Sequence, residues 1–341
     1  KRILVSARDP GAVGHVSVFL DRIKGSSDFE TVLVASGTAY EHLKSAGYQP
    51  RLFTSDAGSL LDEIRPDAVL VSLSSFGAGV DEALLATARG KVPTFALQDF
   101  WGDLNLTLGV PAQTYLVLDS YAARLTEERS RKLGVQHSVE AIPVGSLKHF
   151  RYADLDLIKL RATGRKAAGC HPDEKIVAFF AQSPEIPGHD EIFEHLLDSL
   201  SQINPQPFLI VRGHPKFSAQ HRKPLVQMAR EKGLRVHDAT NQLTPETWLS
   251  TADLITTCYS ISALDHAYLS AFSPSPLGTT LFVMTDPRCK QHMEATCGVS
   301  SFPLIERGLG VQIESRQELP DALRERLSPT AAKAYFEASK S

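Results

Sequence analysis

The stretch Ile210-Val-Arg-Gly-His-Pro215 decides the fold, together with residues 252–267 (ADLITTCYSISALDHA) further along the chain. The first stretch is an apolar strand that ends in a cation, a glycine and a His-Pro turn. The second is an apolar strand that ends in hydroxyl groups, which then begin a helix. Open α/β sheets bind ligands outside the carboxyl ends of their strands, and a helix N-terminus adds N–H donors there. The pattern therefore predicts a phosphate-binding rim made by Arg212, His214, Ser260 and Ser262.

Composition limits the classes of function. The chain has 341 residues, 43% of them hydrophobic and 22% charged, which describes a globular protein with room for two domains. The formal net charge of −3 gives no support for nucleic acid as a partner, because a nucleic-acid-binding domain is expected to be basic. Four scattered cysteines suit a reducing compartment, so we expect a cytoplasmic protein. Peripheral membrane association and the oligomeric state stay open.

Short apolar runs alternate with longer amphipathic runs, which is typical of β-α-β units and parallel sheets. This alternation stops at a charged segment, 152–165, and restarts with a strong strand at 175–181. The pattern predicts an α/β fold of two Rossmann-like, doubly wound domains that face a central cleft. We place the first at 1–150, the second at 151–330 and a tail with helical character at 331–341.

The first strand is followed by a loop that carries two ionisable groups, Asp9 and His15. Either could act as a general base, because carboxylates and imidazoles accept protons within hydrogen-bond reach. Gly11 and Gly14 would let a ligand or a backbone approach closely, although they do not form a G-x-G-x-x-G fingerprint. In the alternative, Asp9 is a turn residue and His15 only begins a helix.

A second loop, 98–105 (QDFWGDLN), mixes aromatic and acidic residues after a predicted strand. Asp99 could accept hydrogen bonds from sugar hydroxyls while Trp101 stacks on a sugar face, since functional residues concentrate on loops over strand ends. With Gly11, these residues form the predicted acceptor-binding set. In the alternative, Trp101 anchors the loop to the core and the aspartates are solvated.

Other strand-end residues in the second half could contact the nucleotide. The guanidinium of Arg212 suits phosphate oxygens, and His214 adds a donor; the alternative is a satisfied core histidine beside a surface ion pair. The two serines bind phosphate or serve as a helix N-cap. Further candidates are Ser183, Thr244 and Asp265. Cys289, His292 and Cys297 lack a fourth zinc ligand, so no metal is predicted.

The His-Pro turn and the serine-containing segment resemble the HP and Ser-Ser motifs of certain GT-B glycosyltransferases. These include CDP-glycerol glycerophosphotransferases, bacterial sialyltransferases and capsule-type transferases. Two departures stand out: Ile261 separates the serines, and Arg-Gly precedes His214 where a lysine is frequent. The turn at 144–148 is similar to an interdomain segment of such enzymes. The resemblance implies a GT-B fold whose second domain holds a nucleotide donor and whose first domain supplies the base.

The leading hypothesis is a metal-independent, inverting glycosyltransferase. It would move a sugar from a nucleotide-activated donor to a glycan, lipid-linked or protein hydroxyl in bacterial surface polysaccharide or glycoconjugate synthesis. The nucleotide sugar is a substrate, so no cofactor is expected. Two alternatives stay open. A non-hydrolysing UDP-N-acetylglucosamine 2-epimerase would need several carboxylates on the donor side of the cleft, where the sequence shows only Asp265 and Glu246; a non-catalytic scaffold would keep the fold alone.

Overall fold

A computed structural model describes residues 1–54, 56–73, 77–135, 139–171, 173–183, 185–214, 219–240 and 242–340, without the side chains of 219–223. The chain divides into two compact units, Lys1–Arg151 and Tyr152–Ser341. Among the described residues, no helix is both long and apolar enough to cross a membrane.

The first unit contains one seven-stranded parallel sheet in the order β3-β2-β1-β4-β5-β6-β7. Its strands are β1 (Arg2–Ala7), β2 (Glu30–Ala35), β3 (Arg51–Leu52), β4 (Ala68–Ser72), β5 (Thr94–Leu97), β6 (Thr114–Val117) and β7 (Glu140–Pro143). Its helices are α1 (Pro10–Ile23), α2 (Gly37–Ser45), α3 (Ala57–Ile64), α4 (Val80–Ala88) and α5 (Ser120–Lys132). The strand order reverses between β1 and β4, which is where ligands bind in sheets of this kind.

The second unit contains a six-stranded parallel sheet in the order β10-β9-β8-β11-β12-β13. Its strands are β8 (Ile176–Phe180), β9 (Phe208–Arg212), β10 (Val236–Asp238), β11 (Leu254–Thr257), β12 (Thr279–Val283) and β13 (Val311–Ile313). Its helices are α6 (Leu157–Ala168), α7 (His189–Leu200), α8 (Ala219–Glu231), α9 (Pro245–Thr251), α10 (Ser262–Phe272), α11 (Pro287–Cys297), α12 (Leu319–Arg326) and α13 (Pro329–Ser339). A 3₁₀ helix, Lys148–Asp154, precedes α6.

The central strands are apolar runs because helices cover both faces of a parallel sheet. Every residue of β8 and of β12 is buried. The predicted fold class of two Rossmann-like, doubly wound α/β domains is confirmed. The segment 331–341 does not stand apart as a tail, because α13 belongs to the second unit, where the buried Tyr335 hydroxyl lies 3.0 Å from Thr280 Oγ1.

Helix α6 packs closely on helix α9 at Gly164, which is buried. A methyl group placed on Gly164 would lie 1.8 Å from Thr251 Oγ1. That hydroxyl is held in place, because it donates a 2.7 Å hydrogen bond to the carbonyl oxygen of Thr247. The missing side chain at Gly164 is therefore a packing requirement of the second unit.

We expect Gly164→Ala to lower the free energy of unfolding by about 1–3 kcal/mol, because overpacking outweighs the helix propensity gained. Urea denaturation measures this change. Gly58→Ala is the control, since a methyl group there would meet Asp56 Oδ1 at an ordinary 3.4 Å. Adding Thr251→Ala to the Gly164 variant should recover part of the loss. A Gly164→Ala protein as stable as the parent would contradict the proposed packing.

Candidate active site

Five acidic side chains gather near the carboxyl ends of β1, β4 and β5 in the first unit. Asp9 follows β1, two more lie in the first turn of α4 after β4, and two lie in the loop after β5. Their charges act on one another, as the mutual effects on their pKa values show. We call this set the carboxylate cluster: Asp9, Asp81, Glu82, Asp99 and Asp103.

The loop that carries Asp99 and Asp103 is fixed by its own polar side chains. The buried Gln98 donates from Nε2 to the carbonyl oxygen of Asp103 at 2.8 Å and to Thr126 Oγ1 at 2.9 Å. Arg129 donates to the carbonyl oxygen of Gly102 at 2.6 Å. These bonds hold the loop against α5 and so set the position of its carboxylates.

Trp101 does not have the role that stacking on an acceptor sugar would require. Its side chain is 1% exposed and packs edge-on against Phe100, with ring centroids 5.7 Å apart. Its indole Nε1 donates to Asp119 Oδ2 at 3.2 Å. The predicted acceptor contact is corrected by this burial: Trp101 anchors the loop to the core, as the alternative proposed.

Desolvation raises the pKa of three deeply placed members of the carboxylate cluster. Asp81 is 0% exposed, and its burial raises its pKa to about 7, although a hydrogen bond from Ser6 opposes the shift. Burial likewise raises the pKa of Asp103 to about 6, against the hydrogen bond from the backbone N–H of Asn105. Burial also raises the pKa of Glu82, which accepts a 2.6 Å bond from the Gly79 N–H.

Asp99 keeps part of its surface accessible, and burial of its carboxyl group raises its pKa to about 7. A methyl group placed on Gly11 would lie 3.3 Å from Asp99 Oδ2, so the structure brings these two predicted residues together. Asp9 is the N-cap residue of α1 but makes no side-chain capping bond. His15 lies further into α1 and is 5% exposed. A carboxyl group with a pKa near 7 can both take and return a proton at neutral pH.

In the second unit, Arg212 at the end of β9 contacts the connection between β10 and α9. Its Nη1 donates to the carbonyl oxygens of Ala239 at 3.2 Å and Leu243 at 3.4 Å, and burial lowers its pKa. The backbone N–H of Gly213 donates to Thr240 Oγ1 at 2.9 Å. His214 follows, partly exposed, and Pro215 lies outside the described residues. The phosphate contact of Arg212 and His214 stays a prediction.

The predicted serines lie together where β11 gives way to α10. The Ser260 hydroxyl accepts from the backbone N–H of Ser262 at 3.2 Å, and the two hydroxyl oxygens are 3.2 Å apart. Both residues are partly exposed, and neither caps α10 at its N-cap position, which is Ile261. The hydroxyls and the first N–H groups of α10 therefore share one place on the edge of the sheet.

A buried tyrosine joins two further predicted carboxylates in the second unit. The hydroxyl of Tyr152 lies 3.3 Å from Glu246 Oε1, and burial and the charges of Asp265 and Glu246 raise its pKa. Thr244, a predicted nucleotide contact, caps α9, because its hydroxyl accepts from the N–H of Thr247 at 3.3 Å. Ser183 is buried, and its hydroxyl donates to Glu185 Oε2 at 3.1 Å.

The sequence interpretation missed Asp81 and Glu82. They form an ordinary acidic first turn of α4, and such residues are common on exposed helices. The signal in the sequence that could have found them is the glycine pair just before α4, Gly77 and Gly79. In the structure, the side chain of Arg8 lies beside both glycines. In the described part of the chain, no group of three or more His, Cys, Asp or Glu side chains is arranged to hold a metal.

No protein-family model matches the sequence, and no curated protein is significantly similar to it. Solved structures do match. Staphylococcus aureus MnaA, in a co-structure with UDP, has a TM-score of 0.71 at 12% identity, over 100% of this chain and 91% of that one. The Neisseria meningitidis UDP-GlcNAc 2-epimerase bound to UDP-GlcNAc has a TM-score of 0.67 at 13% identity, over 100% and 98%.

The fold is that of the UDP-GlcNAc 2-epimerases. A third structure, Anabaena HepE in complex with UDP-glucose, has a TM-score of 0.62 at 15% identity and covers 99% of this chain and 93% of that one. The GT-B-like architecture expected from the motifs is thereby confirmed. The resemblance to particular glycosyltransferase families gains no support.

These comparisons correct the leading hypothesis of glycosyl transfer. Structures of UDP-GlcNAc 2-epimerases match this chain over 97–100% of its length, which agrees with the alternative and not with the leading hypothesis. The base roles of Asp9 and His15 toward an acceptor hydroxyl, and the glycan, lipid-linked or protein acceptor itself, lose their basis with it. The alternative was expected to need carboxylates on the donor side of the cleft, whereas the carboxylate cluster lies in the first unit.

The raised pKa of Asp81 predicts how stability changes with pH. The folded state keeps the Asp81 proton between about pH 4 and about pH 7, where the unfolded state has lost it, so stability falls as pH rises through this window. Asp81→Asn does not titrate, and its amide oxygen can still accept from Ser6. Between pH 4 and pH 8, we therefore expect the free energy of unfolding of the variant to rise relative to that of the parent, by on the order of 1–3 kcal/mol.

Urea unfolding at several pH values measures this gain. Asp56→Asn is the control, because hydrogen bonds from Ser59 hold the pKa of Asp56 below its usual value and its difference from the parent should stay constant from pH 5 to pH 8. An Asp81→Asn curve parallel to the parent curve would show that Asp81 is not a buried acid.

Proposed function

We propose that this chain is a UDP-sugar 2-epimerase that inverts C2 of UDP-N-acetylglucosamine. The observation that carries the proposal is the carboxylate cluster, which places acids with pKa values of about 6 and 7 at the ligand-binding edge of the first sheet. Similarity in fold to UDP-GlcNAc 2-epimerases over the whole chain supports the same conclusion.

The chemistry requires a group of this kind. To invert C2, a proton must leave one face of the carbon and another must arrive on the opposite face. The site therefore needs a base on one side and an acid on the other, each with a pKa near the working pH. The C2 hydrogen is not next to a carbonyl group, so its removal is coupled to departure of UDP. The C2–H electrons form a C1=C2 double bond while the C1–O bond breaks and the diphosphate takes its electron pair. Re-addition of UDP with protonation at the opposite face completes the inversion.

Asp99 is the member of the carboxylate cluster best suited to the proton step. It combines partial exposure with a pKa of about 7, whereas Asp81 is fully buried beneath the edge. We assign the diphosphate to the second unit, where Ser260, Ser262 and the N-terminus of α10 offer hydroxyl and N–H donors. Donors aimed at a leaving diphosphate stabilise the charge that develops on it.

We expect Asp99→Asn to reduce kcat for epimerisation by about 10²–10⁴-fold, because the amide cannot accept the proton. UDP binding should be retained, since the serines lie in the other unit. Proton NMR of UDP-N-acetylglucosamine incubated with enzyme in D₂O detects both the 2-epimer and deuterium at C2. Asp62→Asn, an exposed change on α3, is the matched control and should leave the rate unchanged.

The same experiment separates the alternatives. A parent protein that binds UDP but neither epimerises nor exchanges the C2 hydrogen would contradict the epimerase proposal and favour the scaffold. Full activity in Asp99→Asn would move the base elsewhere in the carboxylate cluster.

The double variant Ser260→Ala with Ser262→Ala tests the diphosphate site. Loss of two hydroxyl donors should weaken UDP binding by roughly 5–150-fold, at about 0.5–1.5 kcal/mol for each hydrogen bond. Isothermal titration calorimetry with UDP gives the dissociation constant. Ser275→Ala serves as a control, because Ser275 is exposed and lies beyond the end of α10. Unchanged affinity for UDP would place the diphosphate away from the serines.

A further inference from the structure

Two glycines on the first turns of α1 shape the surface beside Asp99. Gly11 and Gly14 are three positions apart, so they lie on the same face of the helix. A methyl group on Gly11 would lie 3.3 Å from Asp99 Oδ2. A methyl group on Gly14 would lie 3.1 Å from Cγ and 3.2 Å from Cδ of Lys148. The carboxylate of Asp99 and the stem of Lys148 therefore rest one turn apart on one face of α1.

The position of Lys148 is set by its neighbours in the chain. Leu147 packs against the hydrophobic core formed by β1, β2, α1 and α2. His149 is buried, and its Nδ1 lies 2.5 Å from Ser146 Oγ. Because Leu147 packs on the core and His149 is buried, the 3₁₀ helix holds Lys148 in place beside α1.

The charges around Asp99 come from several elements. Burial is the main cause of its raised pKa, Asp103 on the same loop and Asp9 before α1 raise it further, and Lys148 from the 3₁₀ helix lowers it. The positive charge of Lys148 therefore offsets part of the rise in the pKa of Asp99 that its two acidic neighbours cause.

We infer that Lys148 is a positioning residue for the base: lying across Gly14, its ammonium group keeps Asp99 in the ionised form that proton removal requires. The inference rests on the proposed function, since it assigns the charge balance of the same site. It also explains why α1 carries glycines at two helical positions, each of which costs about 1 kcal/mol in helix propensity relative to alanine.

Direct titration of Asp99 tests the inference without any assay of activity. In protein labelled with ¹³C at aspartate carboxyl groups, the Asp99 signal is identified by its absence in Asp99→Asn. We expect the Asp99 titration midpoint to rise in Lys148→Met and to return toward the parent value in Lys148→Arg. Gly14→Ala should also raise it, because the methyl group displaces the lysine stem, while helix propensity keeps that variant folded.

The activity profile supplies the second readout. In Lys148→Met the acid limb of kcat against pH should move to higher pH, so that activity falls by tenfold or more at pH 7 and recovers in part above pH 8. Lys148→Arg should retain the parent profile. An Asp99 midpoint that is unchanged in Lys148→Met would overturn the inference. A shifted midpoint in a protein with no epimerase activity under any condition would uphold the charge balance and overturn the proposed function alone.

Discussion

Desolvation of carboxyl groups at the end of a parallel sheet is the constraint on which the rest of the first unit depends. An ionised carboxylate is costly to bury, so the protein must either pair it with a cation or let it keep its proton. The carboxylate cluster uses both solutions. Arg8 lies 3.6 Å from Glu82, whereas Asp81 accepts a hydrogen bond from Ser6 and burial raises its pKa to about 7. Because the pKa of Asp99 is about 7, a small change in the nearby charge changes the fraction of Asp99 that is ionised at neutral pH.

The second unit solves a different problem, which is how to shape a donor-rich edge. Arg212 donates to the backbone carbonyl oxygens of Ala239 and Leu243, which fixes these two residues beside the end of β9. The serines stay at the edge, where their mutual hydrogen bonds order the entry to α10. At this edge of the sheet, the Arg212 guanidinium stabilises the neighbouring backbone, and the hydroxyl groups of Ser260 and Ser262 supply hydrogen-bond donors.

Much of the fold follows from the residues in order. The short apolar runs Arg2–Ala7, Ala68–Ser72, Thr94–Leu97 and Leu254–Thr257 are each closed by polar or turn-forming residues. The sequence predicts them as strands, and they coincide with β1, β4, β5 and β11. The strands β3, β10 and β13 were missed, since two or three residues are too few to show any period. The helix α4 was missed because glycines precede it and acidic residues open it, a pattern that a surface loop also shows.

The residues of the candidate site also fall into two groups, those that the sequence predicts and those that only the tertiary structure shows. Alternation of apolar segments by itself determined two Rossmann-like units, and the rule for strand ends placed Asp9, Asp99 and the serines near their ligand-binding edges. Only the tertiary structure decided that Asp81, Glu82, Asp103 and Lys148 join Asp99, and that Trp101 leaves it. The reason is physical: a pKa and a buried contact depend on what surrounds a side chain in space, and the groups that act on Asp99 come from three separate parts of the chain.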